Sequence, residues 1–472
     1  MRPPSILAGP AILAALALPA SARGQIDAAG AATRSARVDS LFAPWSRPDG
    51  PGCAVTVVHG GRRVHLGLHG AALVEHDVPI EGSTVFDLAS LSKHFTAAAI
   101  ALLVEDGTVS WDDPVGRWIP ELSAIHDPVR VHHLVHHTSG IREFFALWAF
   151  AGRDIENGIE DEEVLAMLGR QGALNFAPGE RESYSNSNYF LLAEIVERAA
   201  GASMADFLRE RLFRPLGMET TRVLEEHEDI VPGLAGSYFE REDGTLARRV
   251  LKNDVVGDSG LHTTIDDMTR WMLALLSDET PVGGLLQMLV ERGTLTDGTR
   301  ISYARGLRVL PLRGLETASH GGTMGGFRTY MVLVPDQGWG TVVLCNQLDT
   351  SPFRLTEAIA GIWFEENMSP AEVGDAGIGS PPPAESDDPV PHDIVGRWWS
   401  EELAAFHEFV RIGDRLAVRR GDLPAEDLTI VGPDELEMGG IRWRIERDAD
   451  AGAARILVES GRASGVVLRP AD

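Results

Sequence analysis

Two kinds of apolar pattern divide this chain. Near the start, Cys53–Val58 is an unbroken apolar run and Arg63–His69 a mixed one, and Gly60-Gly61 between them predicts a β-hairpin. Residues Val38 to Trp45 before it predict an N-terminal helix. From Phe95 to Val104 the chain is almost continuously apolar and alanine-rich, then stops at Asp106-Gly107, which predicts a buried helix with a glycine terminator. Helical periodicity broken by Pro and Gly turns dominates from about 112 to 290. Strands return at Tyr330–Val334 and Thr341–Cys345, on either side of Pro335-Asp336-Gln337-Gly338. Strands at both ends with helices between predict a mixed α/β unit carrying a helical insertion.

Pattern changes again after residue 368. Residues 369–393, with Pro381-Pro382-Pro383 and several acids, read as a linker. From 394 to 472 apolar and polar positions alternate, with turns at Gly413-Asp414, Gly421-Asp422 and Gly439-Gly440. That predicts a small all-β module, barrel or sandwich, with Trp398, Trp399 and Trp443 filling its core. At the other end, residues 1–22 have a basic start, an apolar stretch from Ile6 to Leu18 and a small-x-small site at Ala20-Ser21-Ala22. They predict a secretory signal and a periplasmic or secreted product with no membrane insertion after cleavage.

Composition narrows the function. A net charge of −27 over 472 residues argues against nucleic acid as a partner. The two cysteines, Cys53 and Cys345, are either buried thiols or one bridge formed after export. Of 42 basic residues only Lys93 and Lys252 are lysines. Arginine keeps its proton, whereas a desolvated lysine amine can give one up and take one back. Lys93 follows Ser90 by one helical turn, at the mouth of the apolar helix, so its amine can reach the serine hydroxyl. The plain alternative makes Ser90 a helix cap and Lys93 a surface residue, but Phe95, Ala97–Ile100 and Leu102 leave little solvated face.

Two further segments carry candidate chemistry. Tyr184-Ser185-Asn186 follows the turn Ala177-Pro178-Gly179; Tyr184 could share protons with Ser90 through Lys93, and Asn186 could orient substrate or hold the lysine. His320-Gly321-Gly322-Thr323 precedes a strand, and its glycines let a ligand backbone approach closely. Other patterns are weaker. Gly257-Asp258-Ser259-Gly260 looks like a protease nucleophile segment but runs into helical sequence at Asp266–Leu276. His132, His133, His136 and His137 have metal-ligand spacing on a helix without an acidic residue among them.

In order and spacing, Ser90-Leu91-Ser92-Lys93, Tyr184-Ser185-Asn186 and His320-Gly321-Gly322 resemble the three motifs of the serine β-lactamase and penicillin-binding protein superfamily. The resemblance points to the branch of class C β-lactamases, D-aminopeptidases and related esterases, and it extends from about residue 37 to 368. His133–Gly140, Phe176–Gly179, Pro215–Met218 and Ser259–Thr264 look like further landmarks. It implies an antiparallel sheet flanked by helices, with a helical insertion and the appended β module. It also implies an acyl-enzyme on Ser90, proton transfer by Lys93 and Tyr184, an oxyanion site between the N–H groups of Ser90 and Thr323, and no metal or organic cofactor. Asn186, His320, Gly322 and Thr323 would bind substrate. The third motif departs from the family's usual Lys-Thr-Gly, since His320 and Gly321 replace a cation and a hydroxyl. The expected substrate is therefore a small molecule, peptide or ester cleaved at an amide or ester bond; a β-lactamase or D-alanyl-D-alanine carboxypeptidase, or a non-catalytic peptidoglycan or peptide binder, are the alternatives.

Overall fold

A computed structural model describes residues 28–471 except 123, 367, 370–385, 387 and 449–451. The expected signal segment and most of the expected linker lie outside the described residues. Six strands form one antiparallel sheet: β1 (Cys53–His59), β2 (Arg62–His69), β3 (Arg308–Leu312), β4 (Leu315–Met324), β5 (Phe327–Val334) and β6 (Trp339–Cys345). The spatial order is β3-β4-β5-β6-β1-β2, so strands from the two ends of the unit meet at β6 and β1. Cys53 pairs with Cys345 in that register and the two form a disulfide, resolving the choice between bridge and thiols.

Helices cover both faces because the central strands are apolar on both. On one side α1 (Ala28–Leu41) and a helix near the end of the unit, Pro352–Phe364, close over Val55, Val57, Val343 and Trp339. The sequence places the first helix at 38–45; it begins earlier, in an alanine-rich stretch of high helix propensity, and 43–45 form only a short 3₁₀ turn. On the other side lie α2 (Lys93–Glu105), α3 (Asn186–Ala200) and α4 (Ile265–Leu275). Helix α2 is buried from Lys93 to Leu103, as an all-round apolar helix must be. Thr264 caps α4, its hydroxyl accepting from the Asp267 N–H at 3.1 Å.

From Gly396 to Pro470 nine strands make a single antiparallel sheet in which the first strand pairs with both the second and the last, giving a barrel-like module. Trp398 and Trp443 are buried inside it. Trp399 is not: neighbours along a strand point to opposite faces, and its ring instead meets Phe406 at 4.6 Å.

Candidate active site

The short turn Ala89–Ser92 delivers Ser90 to the start of α2. Ala89 has φ of 50°, a left-handed conformation costing roughly 1–2 kcal/mol for a residue with a Cβ. It is held there by its N–H donating to Asp87 Oδ1 at 2.7 Å and by β4 lying against the turn. Gly322 makes that approach possible: a Cβ there would stand 2.1 Å from the Leu88 carbonyl oxygen. Thr329 on β5 donates to the same oxygen at 2.8 Å. Strand β3 pairs only with residues 315–319, so it leaves 320–324 to the cleft.

Lys93 is fully buried, and its Nζ has three partners: Ser90 Oγ at 3.1 Å, Asn186 Oδ1 at 2.7 Å and the Asp258 carbonyl at 2.7 Å. The last two can only accept. The third position faces a hydroxyl, which can donate or accept. Of these three partners only Ser90 Oγ can exchange a proton with the amine.

Asn186 is fixed in turn. Its Nδ2 donates to Glu143 Oε1 at 3.0 Å, which turns its oxygen toward the lysine. Glu143 is buried and caps the helix Phe144–Phe150, its Oε2 accepting from the Ala146 N–H at 2.9 Å. Burial pushes its carboxyl pKa up, opposed by these hydrogen bonds. The Asp258 carboxyl is pushed up to about 6 by burial, with Lys93 pulling the other way.

Tyr184 presents its ring to Lys93, with Nζ 5.0 Å from the centroid, and its hydroxyl bonds no other described residue. Its ring also packs on His137 at 4.3 Å and lies 6.2 Å from His320. His320 is buried. Its Nδ1 lies 2.7 Å from the Gly321 carbonyl, which can only accept, so Nδ1 carries the proton and Nε2 accepts from Tyr303 at 3.1 Å. Burial first, then Lys93, hold its pKa down to about 3. The third motif thus supplies a neutral imidazole.

Ser90, Tyr184, Asn186, His320, Gly322 and Thr323 all line one cleft of about 940 Å³, with Lys93 behind them. The four clustered histidines do not converge: His132 meets the Trp111 carbonyl, His133 the Arg130 N–H and His137 the Ser185 N–H. Among the described residues no group of His, Cys, Asp or Glu is arranged to hold a metal ion.

Three lining or supporting residues escaped the sequence reading. Asp258 sits in the segment set aside as a protease look-alike. Glu143 carries no local signal beyond an acid before an aromatic run. Arg462 belongs to the barrel, yet it reaches the cleft and places its guanidinium carbon 5.3 Å from the Tyr184 centroid.

The beta-lactamase family model matches residues 38–361. The chain belongs to the beta-lactamase family. It is similar to a D-aminopeptidase of Gluconobacter oxydans, 28% identical over 341 residues, covering 71% of this chain and 64% of that relative. The chain thus spans a little under two thirds of that relative's length. It is also similar to penicillin-binding protein 4* of Bacillus subtilis, 30% identical over 315 residues, covering 64% of this chain and 69% of the relative. An octameric penicillin-binding protein homologue from Pyrococcus abyssi shares the fold, with a TM-score of 0.61 at 20% identity over 92% of this chain and 99% of its own. Among the described residues no helix is long and apolar enough to cross a membrane.

Proposed function

We propose that this family member is an exported serine hydrolase that forms an acyl-enzyme on Ser90 and hydrolyses an amide or ester. One observation carries the reading: a fully buried lysine whose Nζ lies 3.1 Å from Ser90 Oγ while acceptor-only groups take its other two donor positions. In its neutral form that amine takes the Ser90 proton as Oγ attacks the substrate carbonyl carbon. The tetrahedral oxyanion is met by the backbone N–H groups of Ser90 and Thr323. Fixed donors of this kind are worth about 3 kcal/mol each. Collapse expels the amine or alcohol, which takes a proton from Lys93 or through Tyr184. Water then attacks the acyl carbon by the reverse proton route and frees the acid. Lys93 and Tyr184 form a coupled pair in this scheme.

Relatives named D-aminopeptidase and penicillin-binding protein support small peptide-like substrates. A neutral His320 weighs against the fixed cation that a β-lactam carboxylate needs at the third motif. The test is a fluorophosphonate probe with a panel of p-nitrophenyl esters, D-amino-acid p-nitroanilides and nitrocefin. Labelling should map to Ser90 by mass spectrometry and vanish in Ser90→Ala, which should keep the wild-type melting temperature. Unlabelled wild-type enzyme would return the protein to the binder alternative.

A further inference from the structure

The protein carries a net charge of −27, yet four arginines line its cleft, Arg249, Arg308, Arg328 and Arg462, against one acid, the inward Asp258. Two of the four differ from Arg308. Arg308 is ion-paired with Glu182 at 3.1 Å. Arg328 and Arg462 have no carboxylate within ion-pair distance among the described residues, although arginines elsewhere in this acidic chain pair repeatedly.

Both are held as if to present charge. Arg328 stands on β5 opposite Thr323; its NH1 donates to the Thr323 hydroxyl at 2.8 Å and its Nε to the Thr350 carbonyl at 3.2 Å. Neither partner neutralises it. Arg462 sits at the tip of the hairpin between the last two barrel strands. Its backbone is pinned to the cleft wall: its carbonyl accepts from Asn175 Nδ2 at 2.9 Å and from the Glu143 N–H at 3.3 Å. Asn175 Oδ1 accepts from the Ser464 N–H at 2.9 Å, and Arg142 Nε donates to the Ser464 carbonyl at 2.9 Å. Arg142 is anchored in a buried pair with Glu402 at 2.8 Å. The backbone is fixed, while the side chain is exposed over Tyr184.

We infer that the cleft selects substrates bearing a carboxylate away from the scissile carbonyl, with Arg462 of the barrel and Arg328 of β5 as the specificity-determining cations. A planar guanidinium fork matches a carboxylate with two parallel hydrogen bonds, which a neutral His320 cannot supply. The same charges disfavour a free ammonium at the cleft mouth. This deepens the hydrolase reading and rests on it.

The experiment compares three D-alanine p-nitroanilides differing only in the N-terminal group: N-succinyl (anionic), N-acetyl (neutral) and free amine (cationic). Wild-type kcat/KM should favour the succinyl over the acetyl compound by about tenfold or more at low salt, the advantage shrinking as ionic strength rises. Arg462→Gln and Arg328→Gln should each cut the succinyl-to-acetyl ratio several-fold with melting temperatures unchanged. Four outcomes would overturn the inference and leave the hydrolase reading standing: equal rates across the three, preference for the free amine, a ratio untouched by both substitutions, or no turnover of any while the probe still labels Ser90. Failure of the probe to label Ser90 would remove both.

Discussion

The inner and outer ends of the cleft handle charge in opposite ways. At the inner end Lys93 is sealed among neutral acceptors, His320 is held neutral, and Asn186, which accepts from Lys93, is fixed by Glu143 behind it. At the outer end Arg328 and Arg462 have no carboxylate within ion-pair distance among the described residues, and Arg462 meets the buried Glu143 carboxyl only at longer range. A group that must exchange a proton needs surroundings that do not stabilise its charged form too strongly. A group that recognises a charge needs a permanent one left uncompensated.

The largest effect that separates the two ends is expected from Lys93→Arg. The substitution keeps the charge but replaces an amine that can lose its proton with a guanidinium that cannot. It also forces a larger planar group into a fully buried site. Acylation of Ser90 should fall by about 10²–10⁴-fold, the usual worth of a positioned general base. Stopped-flow burst measurements with a p-nitrophenyl ester would show it; a loss smaller than about tenfold would mean that Lys93 acts only as a fixed charge, and the contrast between the ends would dissolve.

Gly322→Ala comes next. Its Cβ would meet the Leu88 carbonyl oxygen at 2.1 Å and the Ala89 Cβ at 2.9 Å, so β4 must move away from the nucleophile turn. In the proposed mechanism, displacing Thr323 takes its N–H away from the oxyanion, and loss of one such donor costs about 10²–10³-fold in kcat. The substitution should lower kcat more than it raises KM, because the displaced N–H acts on charge that develops only after substrate is bound. Equal damage to both parameters would show that the glycine serves substrate binding at large.

What could be read from the sequence and what could not divide along local and distant contacts. Ser90 and Lys93 share one helical turn, and Tyr184 and Asn186 one helix start, so residue type and spacing alone suggest their chemistry. The disulfide depends on β1 meeting β6 across 292 residues, a register that no local pattern encodes. Glu143 matters only because α3 brings Asn186 beside it. Arg462 sits in a Gly461-Arg462 turn like many others, and its role follows from the way the barrel docks. Docking is tight: His407 of the barrel bonds the Phe150 carbonyl at 2.7 Å and Arg420 the Ala149 carbonyl at 2.7 Å, at the far end of the helix that Glu143 caps. Trp399 failed for a simpler reason, since two adjacent tryptophans on a strand cannot both face one core.

The smallest effect concerns pH and sharpens the comparison without touching turnover. His320, its pKa held at about 3, stays neutral in the folded protein across the mildly acidic range, while the unfolded chain takes up a proton near 6.5. Its contribution is therefore constant above pH 6.5 and becomes destabilising as pH falls toward 3, by about 1.4 kcal/mol per pH unit. His94, with a pKa of about 3, and His136, with one of about 4, act in the same direction. Asp161, pushed up to about 8, and Asp258, pushed up to about 6, act against it, since each binds its proton more tightly folded than unfolded. Comparing His320→Gln with wild type cancels all of these except His320. Between pH 7 and pH 5 the variant should lose about 2 kcal/mol less stability than wild type, read from urea midpoints. Arg462 does not titrate over that range, so Arg462→Gln should depart from wild type only through the Glu143 carboxyl, whose pKa its charge helps hold down. A His320→Gln curve parallel to wild type would mean that the inner histidine already shares its proton with solvent, and that the cleft's two ends are not electrostatically distinct.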